Sequence, residues 1–124
     1  MREKILIIED NPLNMELASD LLENEGYLVL KAGEAEDGIV LARQEQPDLI
    51  LMDISLPGMD GLTATKLIKQ EPATSQILII ALTAHAMKGD EEKARAAGCA
   101  GYLTKPIETR TFAQQVAAFL KRKG

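Results

Sequence analysis

Four apolar stretches of this chain run into side chains suited to phosphate chemistry. Ile5-Leu6-Ile7-Ile8 leads into Glu9-Asp10, and Leu49-Ile50-Leu51-Met52 into Asp53. Ile77-Leu78-Ile79-Ile80-Ala81-Leu82 leads into Thr83, and Gly101-Tyr102-Leu103-Thr104 into Lys105-Pro106. Three carboxylates crowded together repel, which raises their pKa values unless a cation joins them. Oxygen ligands in that arrangement suit Mg2+ (or Mn2+), which keeps several waters and also binds phosphate oxygens. A carboxylate beside such an ion can attack phosphorus in line and become an aspartyl phosphate. Asp53 is the candidate nucleophile. Lys105 supplies a mobile positive charge and Thr83 a hydroxyl for the phosphoryl oxygens.

That chemistry needs the stretches to be parallel strands, whose carboxyl ends share one edge, where ligands of open α/β sheets bind. The pattern provides them. Each short aliphatic run, bounded by turn signals, reads as a strand buried on both faces. Between the runs lie helical segments. Asn11 caps one that opens with Pro12, carries Leu17, Ala18, Leu21 and Leu22 on one stripe, and stops near Gly26. Tyr27 to Ala32 is a weaker strand, followed by a helix from Ala35 to Gln44 with Ile39 and Ala42 inward and weakened by Gly38. After the Pro57-Gly58 turn, Leu62 to Gln70 is a helix with Leu67 and Ile68 inward, ended by Pro72. Lys88 to Ala97 is a polar, alanine-rich helix, and Thr109 to Arg122 is the last, with Phe112, Val116, Phe119 and Leu120 at i, i+4, i+7 and i+8.

Strand and helix alternate five times with short links. The expected fold is a single α/β domain over residues 1–124: a doubly wound, five-stranded parallel sheet with the three most apolar strands at its centre.

Composition narrows the function classes. With 124 residues and 46% hydrophobic content, the chain can bury a core without staples. A net charge of −5 and the absence of Trp argue against a nucleic-acid surface. Cys99 is the lone cysteine and reads as a small buried residue. No apolar run reaches bilayer-spanning length, and no signal-like segment follows Met1, so a cytoplasmic location is expected.

The set Glu9-Asp10, Asp53 followed by Pro57-Gly58-Met59-Asp60-Gly61, Thr83-Ala84 and Lys105-Pro106 resembles the receiver domain of two-component response regulators. The resemblance covers essentially the whole chain. Its closest flavour is the stand-alone receiver of the bacterial DivK type, or a receiver belonging to a hybrid histidine kinase. It implies a flavodoxin-like sheet of order 2-1-3-4-5 and a phosphoryl group arriving from a phosphohistidine on a kinase or phosphotransfer protein. It makes Asp53 the acceptor. Asp10, Asp53 and the backbone carbonyl of Ser55 would hold the metal, with Glu9 acting through water. The family often has Asp at the position of Glu9, whose longer side chain is expected to carry the carboxylate outward. Lys105 would pair with Asp53 at rest, and the Lys105-Pro106 bond would be cis, aiming the lysine inward. Thr83 and Tyr102 would form a switch that moves the face of the fourth helix, last strand and last helix.

Fainter signals complete the reading. His85 is either an exposed loop residue or, with Ser55, a flank of the line along which water attacks the aspartyl phosphate. Pro12, Leu13, Met15 and Pro106 could dock a kinase or phosphotransfer helix, or be scattered surface residues. The chain is expected to be a signalling domain rather than an enzyme, monomeric or weakly dimeric on phosphorylation, with a downstream protein as its target. A metal-dependent aspartyl-phosphate phosphatase is the rival, but it needs a second acid where this chain has Ser55. A nucleotide binder would need a glycine-rich phosphate loop, which is missing.

Overall fold

The computed structural model describes residues 2–84 and 88–123. Strands β1 (Lys4–Ile8), β2 (Leu28–Ala32), β3 (Leu49–Asp53), β4 (Leu78–Thr83) and β5 (Gly101–Thr104) alternate with five helices. These are α1 (Pro12–Asn24), α2 (Ala35–Glu45), α3 (Gly61–Gln70), α4 (Lys88–Ala97) and α5 (Phe112–Lys123). All strand pairs are parallel, in the order β2-β1-β3-β4-β5. The three aliphatic runs form the centre because only a central strand covers both faces of such a run.

Alternation along those strands divides the core in two. Leu6, Ile8, Ile50, Met52, Ile79 and Ala81 face one side, where Ala35 and Ala42 of α2, Ala64 and Ile68 of α3 and Ala94 of α4 pack. Ile5, Ile7, Leu49, Leu51, Ile80 and Leu82 face the other, under Ala18 and Leu22 of α1 and Phe112 and Val116 of α5. β2 lies at an edge, which explains its mixed pattern: Leu28 and Lys31 are exposed and Ala32 is buried.

Two details differ from the sequence reading. Leu67 is 43% exposed rather than inward. The buried stripe of α3 is Gly61, Ala64, Thr65 and Ile68, and Leu67 lies off that i, i+3, i+4, i+7 line. The last helix begins at Phe112 rather than Thr109. The amides of Thr111 and Phe112 both donate to the Glu108 carbonyl, so residues 109–111 form a turn. Ile107 and Phe112, on either side of that turn, both reach the α1–α5 core.

Gly38 serves packing as well as being a weak helix former. A Cβ there would lie 2.3 Å from Cδ1 of Ile8, so α2 crosses β1 closely and any larger residue must push that side chain aside.

Candidate functional site

The site is assembled by backbone before any side chain acts. The β1–β3 register ends at Ile8↔Met52, so the next step brings Glu9 opposite Asp53. Hydrogen bonds continue past the strand ends: Ile54 N–H donates to Leu82 O at 3.2 Å, and Lys105 N–H to Thr83 O at 2.7 Å. Residues distant in sequence are therefore fixed along one edge.

Two helix starts border it. Asn11 caps α1, its side-chain oxygen accepting from the amides of Leu13 (2.9 Å) and Asn14 (3.1 Å). Asp60 caps α3, accepting from Thr63 N–H at 2.8 Å. The sequence reading missed this second cap, although Asp before a helical run is among the favoured N-cap signals.

Within this frame Lys105 Nζ lies 2.8 Å from Glu9 Oε1 and 3.0 Å from Asp53 Oδ2. The two carboxylate side chains are 1% and 3% exposed. Asp53 Oδ1 accepts from Ser55 N–H at 2.9 Å, and Glu9 Oε2 accepts from Asn11 N–H at 3.2 Å. Glu9 thus departs from expectation. Its longer side chain does not carry the carboxylate outward, because the Asn11 amide and the Lys105 ammonium draw it into the pocket. The Lys105-Pro106 peptide is cis.

Electrostatics make the acids unequal. Burial pushes the Glu9 carboxyl above its ordinary pKa, and the neighbouring Asp53 carboxyl adds to this, against the pull of Lys105 and Asn11. Burial also acts to raise Asp53, but the hydrogen bonds from Glu9, Ser55 N–H and Lys105 together hold it below the usual range. Burial disfavours the charge on Lys105, yet its two carboxylates keep it above the ordinary lysine value. The two acids are therefore biased in opposite directions, Glu9 toward its protonated form and Asp53 toward its ionised one.

Asp10 is exposed and completes a triad with Glu9 and Asp53. One carboxylate oxygen from each lies within 4.8 Å of the others. Glu9 Oε1 is buried and has the lysine charge beside it but no directed hydrogen bond. Three acids against one ammonium, with an oxygen open to a further partner, fit a hard divalent cation held by oxygen ligands.

The remaining sequence candidates are spread around this centre. Thr83 is buried. Tyr102 is half-buried and packs against the α2–α3–α4 core. The register Ala81↔Tyr102 and Thr83↔Thr104 puts Thr83 and Tyr102 on one face of the sheet. Pro12 and Pro106 are exposed, and Leu13 is 76% exposed. Met15 is not simply a surface residue, since it packs against the α1–α5 core. His85 lies outside the described residues. No helix among the described residues is long and apolar enough to cross a membrane.

Residues 5–117 match the family model of the response regulator receiver domain. The polar-differentiation response regulator DivK of Brucella ovis is 44% identical over 120 residues, which cover 97% of this chain and 98% of that protein. Among solved structures, the receiver domain of a sensor histidine kinase from Pseudomonas aeruginosa, with a magnesium ion coordinated in its active-site cleft, superposes with a TM-score of 0.88. It is 33% identical, with 98% of this chain and 99% of that one covered. The chemotaxis response regulator CheY4 of Vibrio cholerae shares the fold at a TM-score of 0.91 and 23% identity, covering 96% of this chain and 99% of its own. The chain therefore belongs to the response regulator receiver family of two-component signalling, within which it is similar to DivK.

Proposed function

We propose that Asp53 accepts a phosphoryl group from a phosphohistidine on a histidine kinase or phosphotransfer protein. The observation that carries this reading is Asp53 itself: buried, held ionised, and flanked by the ammonium of Lys105. In the transfer a carboxylate oxygen of Asp53 forms a bond to phosphorus while the bond from phosphorus to the donor imidazole nitrogen breaks, the electron pair leaving with that nitrogen. Ser55 N–H holds the second carboxylate oxygen and so orients the attacking one. Asp10 and Asp53, with the carbonyl of Ser55 and with Glu9 through water, would hold Mg2+ (or Mn2+). When bound, the cation neutralises charge on the phosphoryl oxygens. Lys105 moves from the carboxylates to a phosphoryl oxygen, and Thr83 offers its hydroxyl to another.

The output is conformational. Engagement of the Thr83 hydroxyl vacates space toward which Tyr102, on the same face of the sheet, rotates. Tyr102, Thr104, Pro106, Glu108, Thr111 and Gln115 line a cavity of about 280 Å³ at the β5–α5 surface, so movement of that ring reshapes what a protein partner meets. The balance shifts only by the difference in how the two states bind the phosphoryl group. The domain acts in the cytoplasm as a phosphoacceptor, catalysing only its own phosphorylation and dephosphorylation. A phosphatase mechanism is not favoured: Ser55, at the position of the required second acid, contributes an amide to Asp53.

The test is transfer from a radiolabelled phosphohistidine donor. The label is expected to move to this chain with magnesium present and to stay on the donor when magnesium is chelated. Label retained on the donor under both conditions would refute the proposal.

A further inference from the structure

The cavity between β5 and the start of α5 combines an apolar floor with an acidic rim. Its floor is made by the buried side chains of Leu103, Ile107 and Phe112. Around the rim stand the exposed Thr104, Glu108, Thr111 and Gln115, with the half-buried Tyr102 as one wall. Among the described residues, Glu108 is the only charged one that lines it. Its backbone is held in the turn, where its carbonyl accepts from the amides of Thr111 and Phe112. Its carboxylate makes no ion pair among the described residues. Nearby cations do not serve it: Lys105 is held by Glu9 and Asp53, Arg95 by Glu91, and Arg110, two residues on, forms no pair with it. The side chains of Tyr102, Thr104, Thr111 and Gln115 likewise make no hydrogen bond to another described residue.

We infer that this cavity seats an arginine side chain of the partner protein, with Glu108 as its counterion. The inference rests on the reading that the β5–α5 surface meets a protein partner, and it names what that partner presents. An ionised carboxylate only accepts hydrogen bonds, so the group it meets must donate. The planar guanidinium can take both carboxylate oxygens at once and stack on an aromatic ring such as Tyr102. Its remaining N–H groups suit the Thr104 and Thr111 hydroxyls and the Gln115 side-chain carbonyl. Weak hydration lets its flat face and methylene stem lie on the apolar floor while its edge reaches the rim. A lysine ammonium matches the charge but offers neither the fork nor the plane. The net charge of −5 also draws a cationic segment toward this chain before contact.

NMR titration with short peptides tests this. One probe is a capped alanine peptide with arginine at its centre; the second carries citrulline there, which keeps the shape and loses the charge. The arginine peptide is expected to shift the amides of Thr104, Glu108, Thr111 and Gln115 and to bind about fivefold more tightly than the citrulline peptide. In Glu108→Gln, which keeps the side-chain length at an exposed position, the two peptides should bind alike. An unchanged preference in Glu108→Gln would overturn the inference, as would shifts confined to Asp90 and Glu91 in the first turn of α4, or no binding at the cavity. Repeating the titration with magnesium and a small-molecule phosphodonor separates the switch from the anchor. An arginine affinity that changes on phosphorylation supports both; an unchanged affinity still lost in Glu108→Gln would overturn the switch and leave the anchor standing.

Discussion

Gly61 sits against the backbone of Asp53 so closely that a Cβ on it would lie 2.3 Å from the Asp53 carbonyl oxygen and 2.7 Å from Cα of Ile54. The helix that follows β3 thus rests its first residue on the Asp53 peptide itself, with Asp60 capping it from the preceding position.

Gly61→Ala must displace backbone, so we expect it to destabilise the fold by about 1–3 kcal/mol in urea unfolding. Gly38→Ala is the control. Its Cβ would meet Cδ1 and Cγ1 of Ile8, a side chain that can shift where the Asp53 backbone cannot, and alanine is the better helix former by about 1 kcal/mol, so the net loss should be smaller. Equal losses would mean that the Gly61 contact is not special.

Stability of the metal-free protein should depend on Glu9 in a definite direction. Its folded pKa is raised, so the fold favours the protonated form; this contribution is fully present below the ordinary carboxylate value and lost as pH rises through the folded one. Glu9→Gln should therefore be more stable than wild type at pH 7, by on the order of 1 kcal/mol, because Lys105 keeps Asp53 as its partner. The gap should close as pH falls toward the ordinary carboxylate range. Denaturant midpoints at several pH values check this, and a gap that widened on acidification would contradict it.

Asp53 and Lys105 shift in ways that reinforce each other away from extremes. The depressed Asp53 contributes stability present above its ordinary pKa and lost as pH falls through the folded value. The raised Lys105 contributes stability present below the ordinary lysine value and lost only as pH rises through a still higher one. Asp53→Asn should therefore flatten the acid limb of the stability curve and also weaken the alkaline limb, because Asp53 is one of the two carboxylates that raise Lys105.

Magnesium should raise thermal stability through the triad. A ligand that binds only the folded state adds about 1.4 kcal/mol for each tenfold excess over its dissociation constant. Asp10→Asn should remove most of that gain without lowering metal-free stability, since Asp10 is exposed. Melts with magnesium and with chelator give both values.

The two proposed roles of the switch residues are separable. Thr83→Ala should still accept phosphate at Asp53, but phosphorylation should no longer move the amide resonances of β5 and α5. Tyr102→Ala should behave likewise. Unchanged phosphorylation-dependent shifts in both variants would remove these residues from the mechanism.

The sequence showed most clearly what depends on strand ends. Glu9, Asp10, Asp53, Thr83 and Lys105 each close an apolar run, and parallel pairing fixes them along one edge whatever the helices do. Helix details were less visible because small residues make the contacts. The buried stripe of α3 is Gly61, Ala64, Thr65 and Ile68, so the larger Leu67 drew a hydrophobic reading away from the true face. Glu9 shows another limit. Its type announced a charge, but the direction of the side chain depended on the Asn11 amide and the Lys105 ammonium, partners that only tertiary structure brings near. The role of Gly38 was hidden for the same reason, since the Ile8 side chain it packs against lies on another element.

Whether Asp53 accepts the phosphoryl group is read out by intact-mass spectrometry. Wild type and Asp53→Asn are incubated with magnesium and a small-molecule phosphodonor. Wild type is expected to gain one phosphoryl group and the variant none, because Asp53 is the proposed acceptor. An equal gain in the variant, or no gain in wild type, would contradict that role.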